Sequence, residues 1–204
     1  LAVDAGNCKT VLARPYNLFT NLSRPADNFF RPLGEDEAMK NNVCLLLLCA
    51  ASVMAQEPIP NRLIDYREFQ KVVADVGKER ESHRLTEAQF MEAMGEKGVV
   101  VLDARSAARY ALRHIRKAVS LPFTEFTAET LAKVIPDKGT KVLIYCNNNF
   151  ENSPVAFPSK VASASLNLST YTSLRSYGYT NVFEFGPLLD VRTTAIPFAG
   201  SETK

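Results

Sequence analysis

The sequence predicts an α/β domain: a parallel sheet of four to five strands flanked by helices on both faces. Three observations carry this. Val99–Leu102 and Val142–Tyr145 are short, continuous apolar runs rather than alternating ones, as strands buried on both faces require. Segments with helical spacing or helix caps separate the strand segments in order. Asp103, Arg105 and Cys146 all fall where a strand ends, and open parallel sheets place their working groups at the carboxyl ends of strands.

The chain has 204 residues, 46% hydrophobic and 23% charged, which fits one globular domain with a sizeable core. Its net charge is only +2, and basic residues are interleaved with acidic ones, as in Lys78-Glu79-Arg80-Glu81. No basic patch marks nucleic acid as a partner. With two histidines, His83 and His114, and no closely spaced cysteine pair in the domain, no metal site and no cofactor are expected.

Residues 1–38 lack helical or strand periodicity and contain three prolines, so they read as a non-native or disordered upstream segment. The pattern changes at Met39. A short basic start precedes an apolar stretch, Val43 to Val53, and then Val53-Met54-Ala55, with small residues suited to cleavage after Ala55. Residues 39–55 thus have the anatomy of a secretory signal peptide, too short to span a bilayer, with Met39 the expected start of the native protein. The other reading is a buried apolar helix at 43–54 within an N-terminal domain. Export predicts a periplasmic or secreted bacterial protein with no membrane contact after cleavage. Of Cys8, Cys44, Cys49 and Cys146, only Cys146 then remains, and a lone thiol in an exported protein points to reactivity or modification.

Residues 56–98 form a helical extension. Pro58 and Pro60 stiffen its start, and Leu63, Tyr66, Phe69, Val72, Val73 and Val76 recur at helical spacing, with Gly77 placed to close the helix. A charged linker, Lys78 to Arg84, follows. Thr86-Glu87-Ala88-Gln89 is a capping box for a helix carrying Phe90, Met91 and Met94 and ending near Gly95.

Residues 99–204 hold the sheet. Val99–Leu102 runs into Asp103-Ala104-Arg105, and Ser106 caps a helix through Ala111. Arg113-His114-Ile115 leads to a strand at Ala118–Leu121, closed by Pro122. Thr127–Ile135 is helical, and Pro136–Thr140 turns into the strand Val142–Tyr145. Pro154–Ala164 is too broken for one helix. Leu166, Thr170, Leu174 and Tyr177 mark the next, with Gly178 as a left-handed cap. Asn181–Phe185 is the last strand, Gly186-Pro187 turns it, and Ser201–Lys204 is a polar tail expected to be mobile.

The chemistry centres on Cys146. Asn147, Asn148 and Asn149 follow it, and asparagine readily adopts left-handed backbone angles, so the loop is expected to curl. Such a curl turns backbone N–H groups inward as an anion-favouring nest, which can lower a thiol's pKa and make it a nucleophile. The other reading of Cys146 is a buried cysteine acting as a small hydrophobe.

Taken together, VVVLDAR at 99–105, a tyrosine and then His114-Ile115 before Ala118–Pro122, the strand ending in Tyr145-Cys146, and Tyr177-Gly178-Tyr179 before Asn181-Val182 resemble the rhodanese-like domain over residues 99–190. The resemblance implies a sulfurtransferase that carries a persulfide on Cys146. Asn147, Asn148, Asn149, Phe150 and Glu151 would form its substrate-binding loop, and Asp103, Arg105 and His114 would support strand ends and turns. Its partners would be a small sulfur donor and a thiol or cyanide-like acceptor. This chain departs from the family pattern in placing Glu151 where many relatives carry a basic residue, Arg113 and Lys117 for the glycines around His-Ile, Pro187 for a second glycine, and a longer stretch between Cys146 and Tyr177. Glu151 would repel a dianion such as thiosulfate and favour a neutral or organic persulfide. No arginine occurs from Asn147 to Lys160, which excludes the related phosphatase and arsenate-reductase chemistry. The second functional class is a non-catalytic binding module that uses the Asn-rich loop and Phe150 as a recognition surface.

Overall fold

The computed structural model describes residues 59–203. Residues 1–38, the signal-peptide segment 39–55 and Cys8, Cys44 and Cys49 lie outside the described residues. In chain order the main elements are α1 (Tyr66–Glu79), β1 (Arg84–Leu85), α2 (Glu87–Gly95), β2 (Val100–Asp103), α3 (Ala107–Leu112), β3 (His114–Ile115) and β4 (Val119–Ser120). They continue with α4 (Ala128–Val134), β5 (Val142–Tyr145), β6 (Phe150–Glu151), α5 (Leu166–Ser176), β7 (Val182–Phe185), β8 (Leu189–Asp190) and β9 (Phe198–Ala199).

A five-stranded parallel sheet in the order β1-β7-β5-β2-β4 bears out the predicted fold class. All four β5 residues are buried, and they alternate between two cores. Leu143 and Tyr145 join Phe90, Val101, Phe150, Phe157 and Phe185 on one face; Val142 and Ile144 join Leu102, Leu131, Ile135, Tyr171 and Leu174 on the other. Burying each such side chain contributes about 1.5–3 kcal/mol, which explains why a strand of continuous apolar residues sits at the centre.

The local signals hold. Thr86 and Gln89 form the capping box of α2, Ser106 caps α3, and Thr127 caps α4. Gly178 takes φ +84° after α5, with Tyr179 N–H bonded back to Leu174 O at 3.0 Å. The segment 154–164 contains no α-helix.

Three expectations change. Gly77 does not close α1, which runs on to Glu79; the supposed linker is the last helical turn, a 3-10 turn at Arg80–His83 and the edge strand β1. The cause is Glu184 of β7, a buried carboxylate that Arg80 reaches through Nε at 2.6 Å and a second guanidinium nitrogen at 2.7 Å. A buried charge must be paired, and a helix interior tolerates one glycine for about 1 kcal/mol. Of the predicted apolar stripe only Val76 is buried, while Leu63, Tyr66, Phe69 and Val73 are exposed. The tail is not loose: Ser201–Thr203 is a 3-10 turn whose Glu202 accepts hydrogen bonds from Arg113 (2.6 Å, at the carbonyl) and Ser153 (3.2 Å, at the carboxylate). Gly200 before it has φ +122°, and a Cβ there would collide with the Leu112 carbonyl, so the close approach of the tail to α3 requires glycine.

Candidate functional site

Cys146 sits at the carboxyl end of β5, the central strand, and is 1% exposed. The loop after it does not curl through left-handed asparagines. Asn147–Asn149 form a right-handed 3-10 turn, and the left-handed residue is Asn152, at φ +63°. A side chain braces this turn. Asn149 Oδ1 accepts the Cys146 N–H at 2.8 Å and the Asn167 amide at 3.1 Å, while its Nδ2 donates to Phe185 O at 2.7 Å and Pro187 O at 3.1 Å. Its full bonding capacity is used, tying the end of β5 to the end of β7 and to α5.

The predicted cup of amides is therefore smaller than expected. The Asn149 N–H points to the Cys146 side chain and also lies 3.3 Å from Cys146 O, and the Phe150 N–H returns to Asn147 O. The second polar group at the sulfur comes from elsewhere: Ser165 Oγ lies 3.4 Å from Cys146 Sγ. Ser165 ends the irregular segment that follows the loop, and the segment is clasped to the loop by Asn148, whose Oδ1 accepts Lys160 N–H at 2.9 Å and whose Nδ2 donates to Lys160 O at 2.8 Å. The sequence placed Lys160 in the broken stretch Pro154–Ala164 and Ser165 just after it; no local signal marks either residue.

Phe150 is not a surface residue. It is fully buried, with ring centroids of Phe157, Phe198 and Phe185 at 4.8, 5.0 and 5.5 Å. This corrects its expected role in recognition, since a ring enclosed by other rings cannot meet a ligand. Glu151 is exposed on β6, and its charge acts on Arg192, which is bonded first of all to Asp190.

Asp103, Arg105 and His114 hold the frame. Arg105 grips Asp103 through Nε at 2.9 Å and a terminal nitrogen at 2.6 Å, and donates to Ala156 O at 2.9 Å and Arg113 O at 2.8 Å. Its guanidinium carbon lies 4.3 Å from the Phe157 centroid, a cation–π contact. Burial opposes its charge, but the hydrogen bond and charge of Asp103 outweigh burial and hold its pKa above the ordinary value. The Tyr145 hydroxyl donates to Asp103 Oδ2, the same oxygen that the Arg105 terminal nitrogen holds, and accepts the Ile115 N–H at 3.1 Å. Burial and then the Asp103 charge push this phenol well above its usual value. His114 stacks on Tyr110 at 3.7 Å with Nδ1 2.7 Å from Tyr110 O.

Beside the loop, an open cleft of about 700 Å³ is lined by Asn147, Arg109, Glu125, Lys160, Phe123 and Leu166, among others. Asn147 is buried, and its Oδ1 has no hydrogen-bond partner. Among the described residues, no cluster of histidine, cysteine or carboxylate is placed to hold a metal ion, and no helix is long and apolar enough to cross a membrane.

A family profile described as the rhodanese-like domain matches residues 86–185. Among solved structures, the chain is similar to a protein from Bacillus halodurans (17% identity, covering 65% of this chain and 88% of that one, TM-score 0.43). It is also similar to the rhodanese-like domain of an Anabaena sp. protein (20%, 59% and 80%, TM-score 0.42) and to a rhodanese with anions from E. coli (24%, 50% and 99%, TM-score 0.34). No curated protein matches the chain.

Proposed function

Residues 86–185 are a rhodanese-like domain, and from that premise we propose that the chain is an exported sulfurtransferase carrying sulfur as a persulfide on Cys146. The observation that supports this most is the polar setting of the sulfur: at the end of the central strand, Sγ faces the Asn149 N–H and, at 3.4 Å, the Ser165 hydroxyl. Both groups donate to a thiolate or a persulfide anion, and such donors stabilise negative charge as it develops.

In the first half-reaction the Cys146 thiolate attacks the outer sulfur of a donor R–S–SH. A bond forms between Sγ and that sulfur, the donor's S–S bond breaks, and the electron pair leaves as R–S⁻, which takes the proton. In the second half-reaction an acceptor thiolate attacks the outer sulfur of the Cys146 persulfide, forms its own S–S bond and regenerates the Cys146 thiolate. No oxidant is consumed. Because Cys146 is enclosed, the donor reaches it only when the segment bearing Ser165 moves aside, and that segment is held to the loop by the two Asn148–Lys160 bonds. Asp103, Arg105 and His114 serve as supports. Export rests on residues 39–55.

The enclosure of Cys146 is also the observation that favours the second reading, a non-catalytic rhodanese-like module. Intact-mass measurement separates the two. Incubation with persulfide donors is expected to add one sulfur atom to the native protein and none to Cys146→Ser; no mass gain with any donor would leave the binding module.

A further inference from the structure

We infer that α1 and the chain leading into it are the interface through which two copies of this protein pair about a two-fold axis, a role independent of the chemistry at Cys146. Six of the twelve large apolar side chains exposed among the described residues fall between Ile59 and Val73. They form one patch. Tyr66, Phe69 and Val73 lie along one stripe of α1, and Leu63 and Ile64 immediately precede its N-cap, Asp65. Only Val72 and Val76, farther along the helix, pack onto the core. The six exposures together amount to about four whole side chains, on the order of 800 Å² at roughly 200 Å² for a large one, which is the area each partner contributes to a standard interface. Monomeric proteins rarely leave so large a patch in water.

The patch combines a ridge with a groove. The groove, about 600 Å³, lies between α1 and α5 and is walled by Phe69, Val73, Val76, Gly77 and Leu168. Gly77 hollows it, since a Cβ there would meet nothing within 4 Å. A surface carrying both a knob and a hollow can complement itself under a two-fold axis. Antiparallel pairing about an axis level with Gln70 sets Tyr66 of each copy at the height of Ala74 of the other, between the Val73 and Gly77 that wall the groove. The charges select a second copy over other occupants. From Ile59 to Glu79 four basic side chains balance four acidic ones, and Lys71–Glu68 and Lys78–Asp75 pair within the helix at 3.3 and 2.9 Å. A lipid surface favours a helix rich in lysine and arginine, and a strongly charged partner favours the opposite sign. This border is neutral and internally paired, so it offers neither, and no excess of like charge holds two copies apart.

The test is analytical ultracentrifugation of the full chain over a dilution series, where a reversible monomer–dimer equilibrium is expected. Phe69→Glu, at a half-exposed position, should weaken the dimer at least about a hundredfold, because a two-fold interface loses a central contact twice. Gly77→Gln fills the groove and replaces a helical glycine by a better helix former, so it should weaken the dimer about tenfold while raising the denaturant resistance of the dissociated subunit. That opposite response separates docking from folding. A chain that is monomeric at every concentration, or an association that either substitution leaves unchanged, would overturn the inference. So would a monomer that sediments with neutral or anionic lipid vesicles, since the patch would then serve a membrane.

Discussion

On one face of the sheet, Val142 and Ile144 pack under helices: Val76 of α1, Leu131 of α4, and Tyr171 and Leu174 of α5. On the other, Leu143 and Tyr145 pack under α2 through Phe90 and Ala93 and under chain with little regular structure, including Phe150, Ala156, Phe157, Ile196 and Phe198. A helix satisfies its own backbone and needs only an apolar stripe to dock. Irregular chain has no such internal ladder, so its carbonyls must be met from outside. Arg105 does this for Ala156 and Arg113, and Asn149 for Phe185 and Pro187. The irregular face is therefore built around polar keystones. It is also continuous with the candidate site, since Phe150 follows the cysteine loop directly and Ala156 lies between that loop and Ser165.

This contrast is open to attack by mutation. The largest effect is expected from Arg105→Ala, which leaves Asp103 buried without its partner and two carbonyls without donors: about 3–5 kcal/mol of stability by chemical denaturation. Loss of Cys146 reactivity should accompany it even where the protein stays folded. Leu131→Ala on the helical face should cost about 2–5 kcal/mol and leave the Cys146 loop intact, as judged by its amide spectrum. If both variants disturb the loop equally, the two faces are not separable.

Alkali tests both faces through their buried phenols. Tyr145 is raised by burial and then Asp103, and Tyr171 by burial and then the charge and hydrogen bond of Glu79. Because their folded-state values lie above the ordinary one near 10, their stabilisation is fully present below about pH 10 and is lost as pH rises through the folded values. Stability followed by denaturation should fall above about pH 10, and Tyr145→Phe should flatten that fall. An unchanged slope in this variant would remove Tyr145 from the account.

The smallest effect concerns Lys117, exposed and at φ +71°, a conformation that costs a residue with a Cβ about 1 kcal/mol. It stands at a glycine position of the family pattern, and it retains the glycine's backbone. Lys117→Gly should raise stability by about 0.5–1 kcal/mol, less what glycine loses in unfolded-state entropy. A lower melting temperature would show that the Lys117 side chain makes a contact of greater value.

The sequence by itself determined four of the five strands of the parallel sheet (β2, β4, β5 and β7), their parallel arrangement, the caps at Thr86 and Ser106, the left-handed Gly178 and the place of Cys146 at a strand end. Each follows from interactions among residues close in the chain, or from an apolar run that only a doubly covered strand can bury. The tertiary structure alone decided what meets the sulfur and what holds its loop. Asn149 is braced by Asn167 and Phe185, 18 and 36 positions away, and Ser165 reaches Cys146 across 19. It also buried Phe150 and exposed Leu63, because the pattern of a helix or loop states that it has an apolar side but not whether anything in the folded chain covers it. Hydrogen bonds across such separations depend on where whole elements come to rest, and no local spacing encodes that.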